Sequence, residues 1–504
     1  MAKNTAAKPA KRASGRLSLP RLATGVEGLD DVLEGGFPAH RIYLIEGEPG
    51  TGKTTLALHF LMEGARRGEA GLYVTLSETK AELHAVARSH GWNLEGFEIY
   101  EVVPPAESLK PETQYTIFHP AEIELGETTN ALIKEVDRLQ PKRVVIDSLS
   151  EMRLLAREPL RFRRQILALK QYLAGNRGTV LLLDDKVAGR DLQIHSIVHG
   201  VVSLEHLALE YGAERRRLRI TKLRASKFRG GYHDFTIVTG GLVVFPRLIA
   251  AEHHPRFDGG SVSSNIGALD RLLGGGLDRG TSTLVLGPAG SGKSTLATQF
   301  MAAAAARGEP SAAFIFDEWR ETFIGRAAGV GTDMRKFVKK GLITIQQVDP
   351  AELSPGEFAM SVRRAVDVDG ARVVLIDSLN GYLNAMPEER FLSVQMHELL
   401  TYLNQKGVVT ILVMAQHGFL GGSMVTPVDV SYLADTVLML RYFEAHGAIH
   451  RALSVVKKRT GCHELTIREL EIRSDGLRVG EPLKEFRGVL TGTPVYEGHN
   501  EGLS

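Results

Sequence analysis

The chain has 504 residues, of which 43% are hydrophobic, so it is long enough to bury two or three separate cores, and two domains are the default. Its 61 Lys and Arg residues nearly balance 59 Asp and Glu residues, which excludes a strong overall field that would attract nucleic acid or an anionic membrane. A single cysteine excludes an internal disulfide, and no apolar run approaches the roughly 20 residues of a bilayer span, so we expect a protein of the cytoplasm.

The first segment of the chain, residues 1–20, carries basic residues and no acids. It lacks the apolar central stretch of a secretory signal, and we expect it to form a disordered basic tail. An internal repeat follows, because residues 24–70 align with residues 264–310 without a gap. We therefore predict a tandem duplication, whose parts are a first domain at 21–250, a second domain at 251–485 and a short tail at 486–504.

Short β-branched runs alternate with longer helical stretches in each half of the chain. The predicted strands are RIYLIEG, AGLYVTL, RVVIDSL and TVLLLDD in the first half, and STLVLG, AAFIFDE, RVVLIDSL and VVTILVMAQ in the second. Continuous hydrophobicity indicates strands that are covered on both faces, as in a mostly parallel sheet flanked by helices. We predict the α/β class for both halves.

A phosphate-binding loop of the pattern GxxxxGK[ST] begins at Gly47 and again at Gly287. Each loop follows a predicted strand and opens a predicted helix, which is the context that the motif requires. Glycines let backbone N–H groups turn toward a phosphate, and the helix N-terminus adds a favourable dipole. We expect Lys53 and Lys293 to hold the β- and γ-phosphates of ATP. The predicted ATP-binding residues are Gly50, Thr51, Gly52, Lys53, Thr54, Thr55, Gly290, Ser291, Gly292, Lys293, Ser294 and Thr295.

A carboxylate at the end of another strand is expected to anchor the water shell of Mg²⁺. KRVVIDSL supplies Asp147 and ARVVLIDSL supplies Asp377, each after a run of apolar residues. The hydroxyls of Thr54 and Ser294 are predicted to complete each metal site. The alternative is that each Asp merely caps the next helix, and the recurrence of Asp-Ser-Leu in both halves argues against it.

Hydrolysis also needs a carboxylate that polarises the attacking water. The strands LYVTLSET and AAFIFDEW lead to Glu78 and Glu318, which occupy corresponding positions in the two halves. We predict that these two residues are the catalytic bases, although an acid is also common in a surface turn. Asp317 joins the catalytic candidates, whereas Ser77 stands at its position in the first half, so we expect different hydrolysis rates.

With these loops, strand-end acids and Asp-Ser pairs, both halves resemble the RecA-like ATPases, and the duplicated arrangement resembles the KaiC family of double-domain clock ATPases and autokinases. The resemblance extends from Leu22 to about Pro494. It implies two tandem RecA-like domains, ATP and Mg²⁺ as cofactors, and a homohexameric double ring that holds ATP between subunits.

The resemblance also implies that basic residues of a neighbouring subunit reach the γ-phosphate. ITKLRAS supplies Lys222 and Arg224, and VVKKRTG supplies Lys457 and Arg459. A spacing of two predicts that each pair lies on one face of one strand. The alternative is a solvated basic edge strand, because RRRLRITKLR is basic throughout.

Autophosphorylation of adjacent Ser and Thr residues in the second domain is a further implication of the resemblance. The matching positions are Ser431, which is the phosphorylation candidate, and Tyr432, which replaces the threonine. The chain also ends in a short, weakly patterned segment. We therefore expect an ATPase that acts in signalling with partner proteins rather than a full oscillator.

Two other functions remain open at this point. A RecA-like motor that handles DNA is the first, and the near-neutral charge together with two Trp outside the basic clusters does not favour nucleic acid as a partner. A nucleotide-gated scaffold with little turnover is the second. Salt-dependent binding to single-stranded DNA would identify the motor, and turnover of Glu78→Gln and Glu318→Gln variants would separate enzyme from scaffold.

Overall fold

The structure is a computed structural model of the whole chain. It describes residues 20–102, 120–156, 158–175, 178–186, 192–209, 212–252, 257–349, 351–384, 391–416, 433–445, 447–490 and 495–496. These residues form two units, which we call the first and the second repeat. The first unit ends at Arg247 but excludes Ala208–Ala213, which groups with the second unit from Leu248 onward.

A nine-stranded sheet forms the centre of the first repeat, in the order β11-β10-β9-β8-β3-β7-β6-β4-β5. The strands are β1 (Arg21–Leu22), β2 (Phe37–Pro38), β3 (Ile42–Gly47), β4 (Gly71–Thr75), β5 (Glu98–Glu101), β6 (Arg143–Asp147), β7 (Thr179–Asp185), β8 (Gly200–Leu207), β9 (Arg215–Leu223), β10 (His233–Val238) and β11 (Gly241–Phe245). The helices are α1 (Leu29–Val32), α2 (Lys53–Arg66), α3 (Lys80–Ser89), α4 (Pro120–Leu139), α5 (Leu149–Ala156), α6 (Pro159–Gly175) and α7 (Leu192–Ile197).

The second repeat has the same topology, with a sheet in the order β16-β15-β17-β18-β14-β19-β20-β21-β22. Its strands are β12 (Ser261–Val262), β13 (Leu277–Asp278), β14 (Ser282–Gly287), β15 (Ser311–Ile315), β16 (Ile343–Gln347), β17 (Val373–Asp377), β18 (Val409–Ala415), β19 (Thr436–Ala445), β20 (Ala448–Lys458), β21 (Arg468–Arg473), β22 (Gly476–Pro482), β23 (Phe486–Arg487) and β24 (Val495–Tyr496). Its helices are α8 (Gly267–Leu272), α9 (Lys293–Ala306), α10 (Arg320–Gly329), α11 (Arg335–Lys339), α12 (Pro355–Asp367), α13 (Leu379–Asn384) and α14 (Leu392–Gln405).

Six strands of each sheet run parallel, and the last three strands are added antiparallel at one edge. Side chains of the central strand β3 alternate between two buried clusters, with Tyr43 and Ile45 in one and Ile42 and Leu44 in the other. Burial of each such side chain contributes roughly 1.5–3 kcal/mol. The sheet is therefore covered on both faces, which confirms the predicted α/β class.

Part of the segment that we expected to be a tail is paired in a small sheet. Phe486 of β23 pairs with Tyr496 of β24, and the two rings lie 5.3 Å apart. The Phe486 ring also contacts Phe443 of β19 at 5.2 Å, which attaches this pair to the second repeat. No helix within the described parts of the chain has the length and hydrophobicity to cross a bilayer.

Candidate functional site

The phosphate-loop motif forms the turn between the central strand and the following helix in both repeats. Gly52 has φ +97° and Gly292 has φ +101°, in the left-handed region that favours glycine. A Cβ atom at Gly52 would lie 2.7 Å from Ile237 Cδ1, and one at Gly292 would lie 2.5 Å from Ile472 Cδ1. The backbone conformation therefore favours glycine directly before the helix, and a larger residue would also have to push aside the end of an isoleucine side chain.

The N-termini of α2 and α9 receive no hydrogen bond from a capping side chain. Their backbone N–H groups are therefore available to an anion, and the helix dipole favours negative charge at the same place. The hydroxyl of Thr51 donates to the carbonyl of Glu48 at 2.8 Å, which stabilises the first loop. Ser291, Thr55 and Thr295 are also buried next to their loops.

Lys53 lies across the first loop. Its Nζ donates to the carbonyls of Gly47 at 2.9 Å and Glu48 at 3.0 Å. The same Nζ forms an ion pair with Asp185 Oδ1 at 2.9 Å. Gly47 and Asp185 are register partners on the adjacent strands β3 and β7, which explains the ion pair.

Lys293 has a different environment in the second loop. Its Nζ donates to the carbonyl of Pro288 at 2.7 Å, and the residue is only 8% exposed. Burial lowers the pKa of Lys293, while the carboxylate of Asp377 acts in the opposite direction. Ala415 stands at the register position that Asp185 occupies in the first repeat.

Asp147 lies at the carboxyl end of β6, near the start of α2. Thr54 Oγ1 lies 3.4 Å from Asp147 Oδ2, so the structure brings the two predicted metal-site residues together. The Tyr73 hydroxyl donates to the same oxygen at 2.5 Å. Burial raises the pKa of Asp147, and the hydrogen bonds from Tyr73 and Thr54 oppose that rise.

The corresponding Asp377 is less well satisfied. The Ser294 hydroxyl is a hydrogen-bond partner of this carboxyl, but Asp377 Oδ2 is buried without a partner in the described part of the chain. Ala313 replaces Tyr73 in the second repeat, which removes the donor that serves Asp147. Burial raises the pKa of Asp377 to about 6, and the negative charges of Glu318 and Asp317 contribute to the rise.

Glu78 follows β4, which is the parallel neighbour of β6, so it lies at the same edge as Asp147. Two hydrogen bonds, of 2.6 and 3.0 Å, join the Thr75 side chain to the backbone of Glu78 and fix the turn. One carboxylate oxygen, Oε2, is buried without a hydrogen-bond partner among the residues that the structure describes. Burial first, and then the nearby charges of Asp147 and Glu82, raise the pKa of Glu78.

Glu318 occupies the corresponding turn after β15, but it forms an ion pair with Arg326 of α10. Val86 stands at the equivalent helical position in the first repeat, so that Glu78 has no such partner there. Asp317 accepts a hydrogen bond from the Ser378 hydroxyl at 2.5 Å. The two repeats therefore hold their candidate bases in different ways.

The basic pairs lie near the amino ends of the parallel strands, at the end of each sheet opposite the phosphate loop. Lys222 pairs with Val201, which pairs with Leu44, three residues before the loop at Gly47. At a rise of about 3.3 Å per residue, Lys222 lies about 10 Å from its own loop along the strand direction. The Lys222 ammonium donates to the carbonyls of His195 and Val198 at that far edge.

Arg224 and Arg459 each follow the last residue of their strand, so neither pair lies wholly on one strand, contrary to the prediction. Arg224 donates to the Ser196 carbonyl at 3.0 Å. Lys457 donates to the Ala434 carbonyl at 2.8 Å, and Arg459 pairs with Asp435 at 3.3 Å. These hydrogen bonds again lie at the edge opposite the phosphate loop.

The phosphorylation candidate and the metal-site residues have different outcomes in the structure. Ser431 and Tyr432 lie outside the described residues. Within the described parts of the chain, no group of three or more His, Cys, Asp or Glu side chains could hold a metal ion by itself. A metal at either loop would therefore need ligands from the nucleotide phosphates and water, as is usual for Mg²⁺.

Three residues around the loops were missed by the sequence analysis: Asp185, Arg326 and Tyr73. Asp185 is a charged residue at the end of the strand TVLLLDD. Its place beside the loop could be predicted only if the order of the strands were known. Arg326 and Tyr73 act through helix packing and a cross-strand contact, for which the sequence offers no comparable signal.

A protein-family model described as "ATPase: KaiC" matches residues 22–249 and, a second time, residues 262–484. The circadian clock protein KaiC3 of Synechocystis sp. is 27% identical over 493 residues, which cover 96% of each chain. The circadian clock oscillator protein KaiC of Parasynechococcus marenigrum is 28% identical over 492 residues, which cover 96% of this chain and 95% of the relative. Since the family model matches both repeats and most of the sequence, the chain belongs to the KaiC family of ATPases.

Proposed function

We propose that this KaiC-family protein binds and hydrolyses ATP at both repeats, and that a neighbouring subunit completes each site in a homohexameric double ring. The observation that carries the proposal is the position of the charged groups. Each loop, with its acids, lies at the carboxyl ends of the parallel strands, whereas the basic pair of the same repeat lies at their amino ends. In a head-to-tail ring, the loop of one subunit would meet the basic pair of the next subunit.

The residues at each loop fit a bound Mg²⁺. Thr54 with Asp147, and Ser294 with Asp377, offer a hydroxyl and a carboxylate at the start of each helix. The buried Oδ2 atom of Asp377 has no hydrogen-bond partner, and a metal-bound water would satisfy it. When bound, Mg²⁺ neutralises charge on the β- and γ-phosphates.

Glu78 and Glu318 are the proposed general bases. The buried, unpartnered Oε2 of Glu78 is an acceptor that faces no competing donor among the described residues. The pKa of Glu78 is raised toward neutral pH, and such a shift suits a group that accepts a proton from water. Asp317 supports the second site through its hydrogen bond with Ser378.

Lys222, Arg224, Lys457 and Arg459 are proposed to act on the γ-phosphate of the adjacent subunit. Burial lowers the pKa of Lys222, and the positive charges of Arg224 and Lys170 lower it further. This concentration of positive charge suits an anion that arrives from outside the repeat. Cations supplied in trans are worth roughly 10³ to 10⁵ in rate for related phosphoryl transfers.

The biological setting is also part of the proposal. The relatives are named as circadian clock proteins, and we propose that this chain acts in cytoplasmic signalling or timing with partner proteins. An autokinase activity would place phosphate on Ser431 of the second repeat. Intact-mass measurement after incubation with ATP tests this step, because a Ser431→Ala variant should lose the added phosphate.

Native mass spectrometry tests the assembly and the two sites together. A Glu78→Gln/Glu318→Gln variant with ATP should give a hexamer that carries two nucleotides per subunit. Lys53→Ala and Lys293→Ala variants should each lose one nucleotide per subunit. A monomer that turns over ATP at the wild-type rate would overturn the proposal.

A further inference from the structure

Strand β7 of the first repeat ends in two carboxylates with different surroundings. Asp184 is 2% exposed and is engaged by the guanidinium of Arg153 and the Ser150 hydroxyl. The side chain of Asp185 is 40% exposed, and it faces the loop. Asp184 is therefore part of the core, whereas Asp185 is available to the site.

The position of Asp185 is fixed by the backbone. Asp185 is the register partner of Gly47, and the Lys186 N–H donates to the Gly47 carbonyl at 3.1 Å. The Ser150 hydroxyl lies 3.3 Å from Asp185 Oδ2. The other oxygen, Oδ1, is 2.9 Å from Lys53 Nζ.

Lys53 is the ammonium that the sequence predicts to hold the β- and γ-phosphates, and the proposed function depends on it. Its side chain is 11% exposed, so the ion pair is screened less than a fully exposed one. A phosphate that takes Lys53 must displace this contact, and it then lies near the negative charge of Asp185. Both effects weaken phosphate binding.

The second repeat provides an internal comparison. Ala415 is the register partner of Gly287, and Lys293 donates to the Pro288 carbonyl instead of a carboxylate. No ion pair of Lys293 is found among the described residues. Among the described residues, the loop lysine of this repeat therefore has no carboxylate in direct contact, and Asp377 acts on it only through its charge.

We propose that Asp185 is an affinity-determining residue of the first repeat, which competes with the nucleotide phosphates for Lys53. This inference rests on the proposed function of the loops. It predicts that the first repeat binds ATP more weakly and releases ADP faster than it would with a neutral residue at position 185. The second repeat lacks this competition.

The test measures nucleotide affinity at one repeat at a time with fluorescent ATP and ADP. In a Lys293→Ala background, Asp185→Asn should tighten ATP binding about two- to fivefold and slow ADP release. In a Lys53→Ala background, the reciprocal Ala415→Asp should weaken ATP binding. Added salt should reduce both differences, because it screens charges.

Unchanged or weaker ATP affinity in Asp185→Asn would overturn the inference, as would an Ala415→Asp variant with unchanged affinity. If circular dichroism shows that Asp185→Asn does not fold, Asp185→Ser and Ala415→Asp provide the same test. Failure of both single-repeat backgrounds to bind ATP would instead contradict the proposed function.

Discussion

The two repeats share one sheet topology and one phosphate-loop motif, but they surround the loop with different side chains. Tyr73 donates to Asp147 in the first repeat, whereas Ala313 leaves an oxygen of Asp377 without a partner. Arg326 holds the candidate base of the second repeat, and the first has Val86 at that place. The loop was retained in both copies, while the groups that tune its acids and its lysine diverged.

This difference suggests a division of labour. Among the described residues, the first repeat has a candidate base with one unpaired carboxylate oxygen and a loop lysine that is held by a carboxylate. The second repeat has a candidate base in an ion pair and a buried loop lysine without a carboxylate partner in the described residues. We expect faster turnover at the first repeat and longer nucleotide retention at the second.

Replacement of the two candidate bases should have the largest effect. Glu78→Gln should lower turnover at the first repeat by about 10²- to 10⁴-fold, because general-base catalysis is lost. Glu318→Gln should remove less of the total turnover, since Arg326 already restrains Glu318. Phosphate release, measured with the other repeat inactivated by Lys→Ala, gives both values. Equal rates for each variant and its parent would show that these carboxylates are not the bases.

Exchange of the residues beside the bases should have a smaller effect. Arg326→Val should raise turnover at the second repeat about two- to fivefold, because a partly exposed ion pair of this kind is worth up to about 1 kcal/mol. The reciprocal Val86→Arg should lower turnover at the first repeat. A steady-state assay of the paired variants tests this, and a change in the same direction for both would reject the comparison.

The pH dependence of the second repeat follows from Asp377. Because its pKa is raised to about 6, the carboxyl takes up a proton below that pH, and apparent Mg²⁺ affinity should fall as the pH decreases from 7.5 to 5. The folded pKa also lies above the usual value of 3.8. Asp377 therefore favours the folded state at low pH, and this contribution is lost as the pH rises through about 6.

Chemical denaturation of the metal-free protein checks the sign of this effect. The difference in free energy of unfolding between the wild type and Asp377→Asn should depend on pH between 5 and 7, with the wild type losing stability toward pH 7. A difference that stays constant over this range would contradict the assigned pKa.

Removal of the Tyr73 hydroxyl should give the smallest effect. The hydrogen bond from Tyr73 holds the pKa of Asp147 lower than burial alone would set it. Tyr73→Phe should therefore raise this pKa and weaken Mg²⁺ binding at the first repeat a few-fold at pH 7. Metal titration in a Lys293→Ala background measures the change. The matched control is Tyr43→Phe, because the Tyr43 hydroxyl donates to the Pro38 carbonyl, away from the loop.

The sequence predicts the fold well, because the repeat, the buried strands and the loop are local patterns. The positions of Asp147 and Asp377 at strand ends could also be predicted, since each follows a short run of apolar residues. The contact between Asp185 and Lys53 could not, because it depends on β7 lying next to β3. The pairing of Glu318 with Arg326 depends on how α10 packs, which periodicity alone does not determine.

The central claim is that one subunit's loop works with the basic pair of its neighbour. Subunit mixing tests it directly, with Glu318→Gln in every chain to silence the second repeat. A Lys53→Ala protein and a Lys222→Ala/Arg224→Ala protein should each be inactive at the first repeat. After subunit exchange, an equal mixture should recover about a quarter of the parent's turnover, because random neighbours restore that share of the interfaces. A mixture no more active than its two components would contradict the claim.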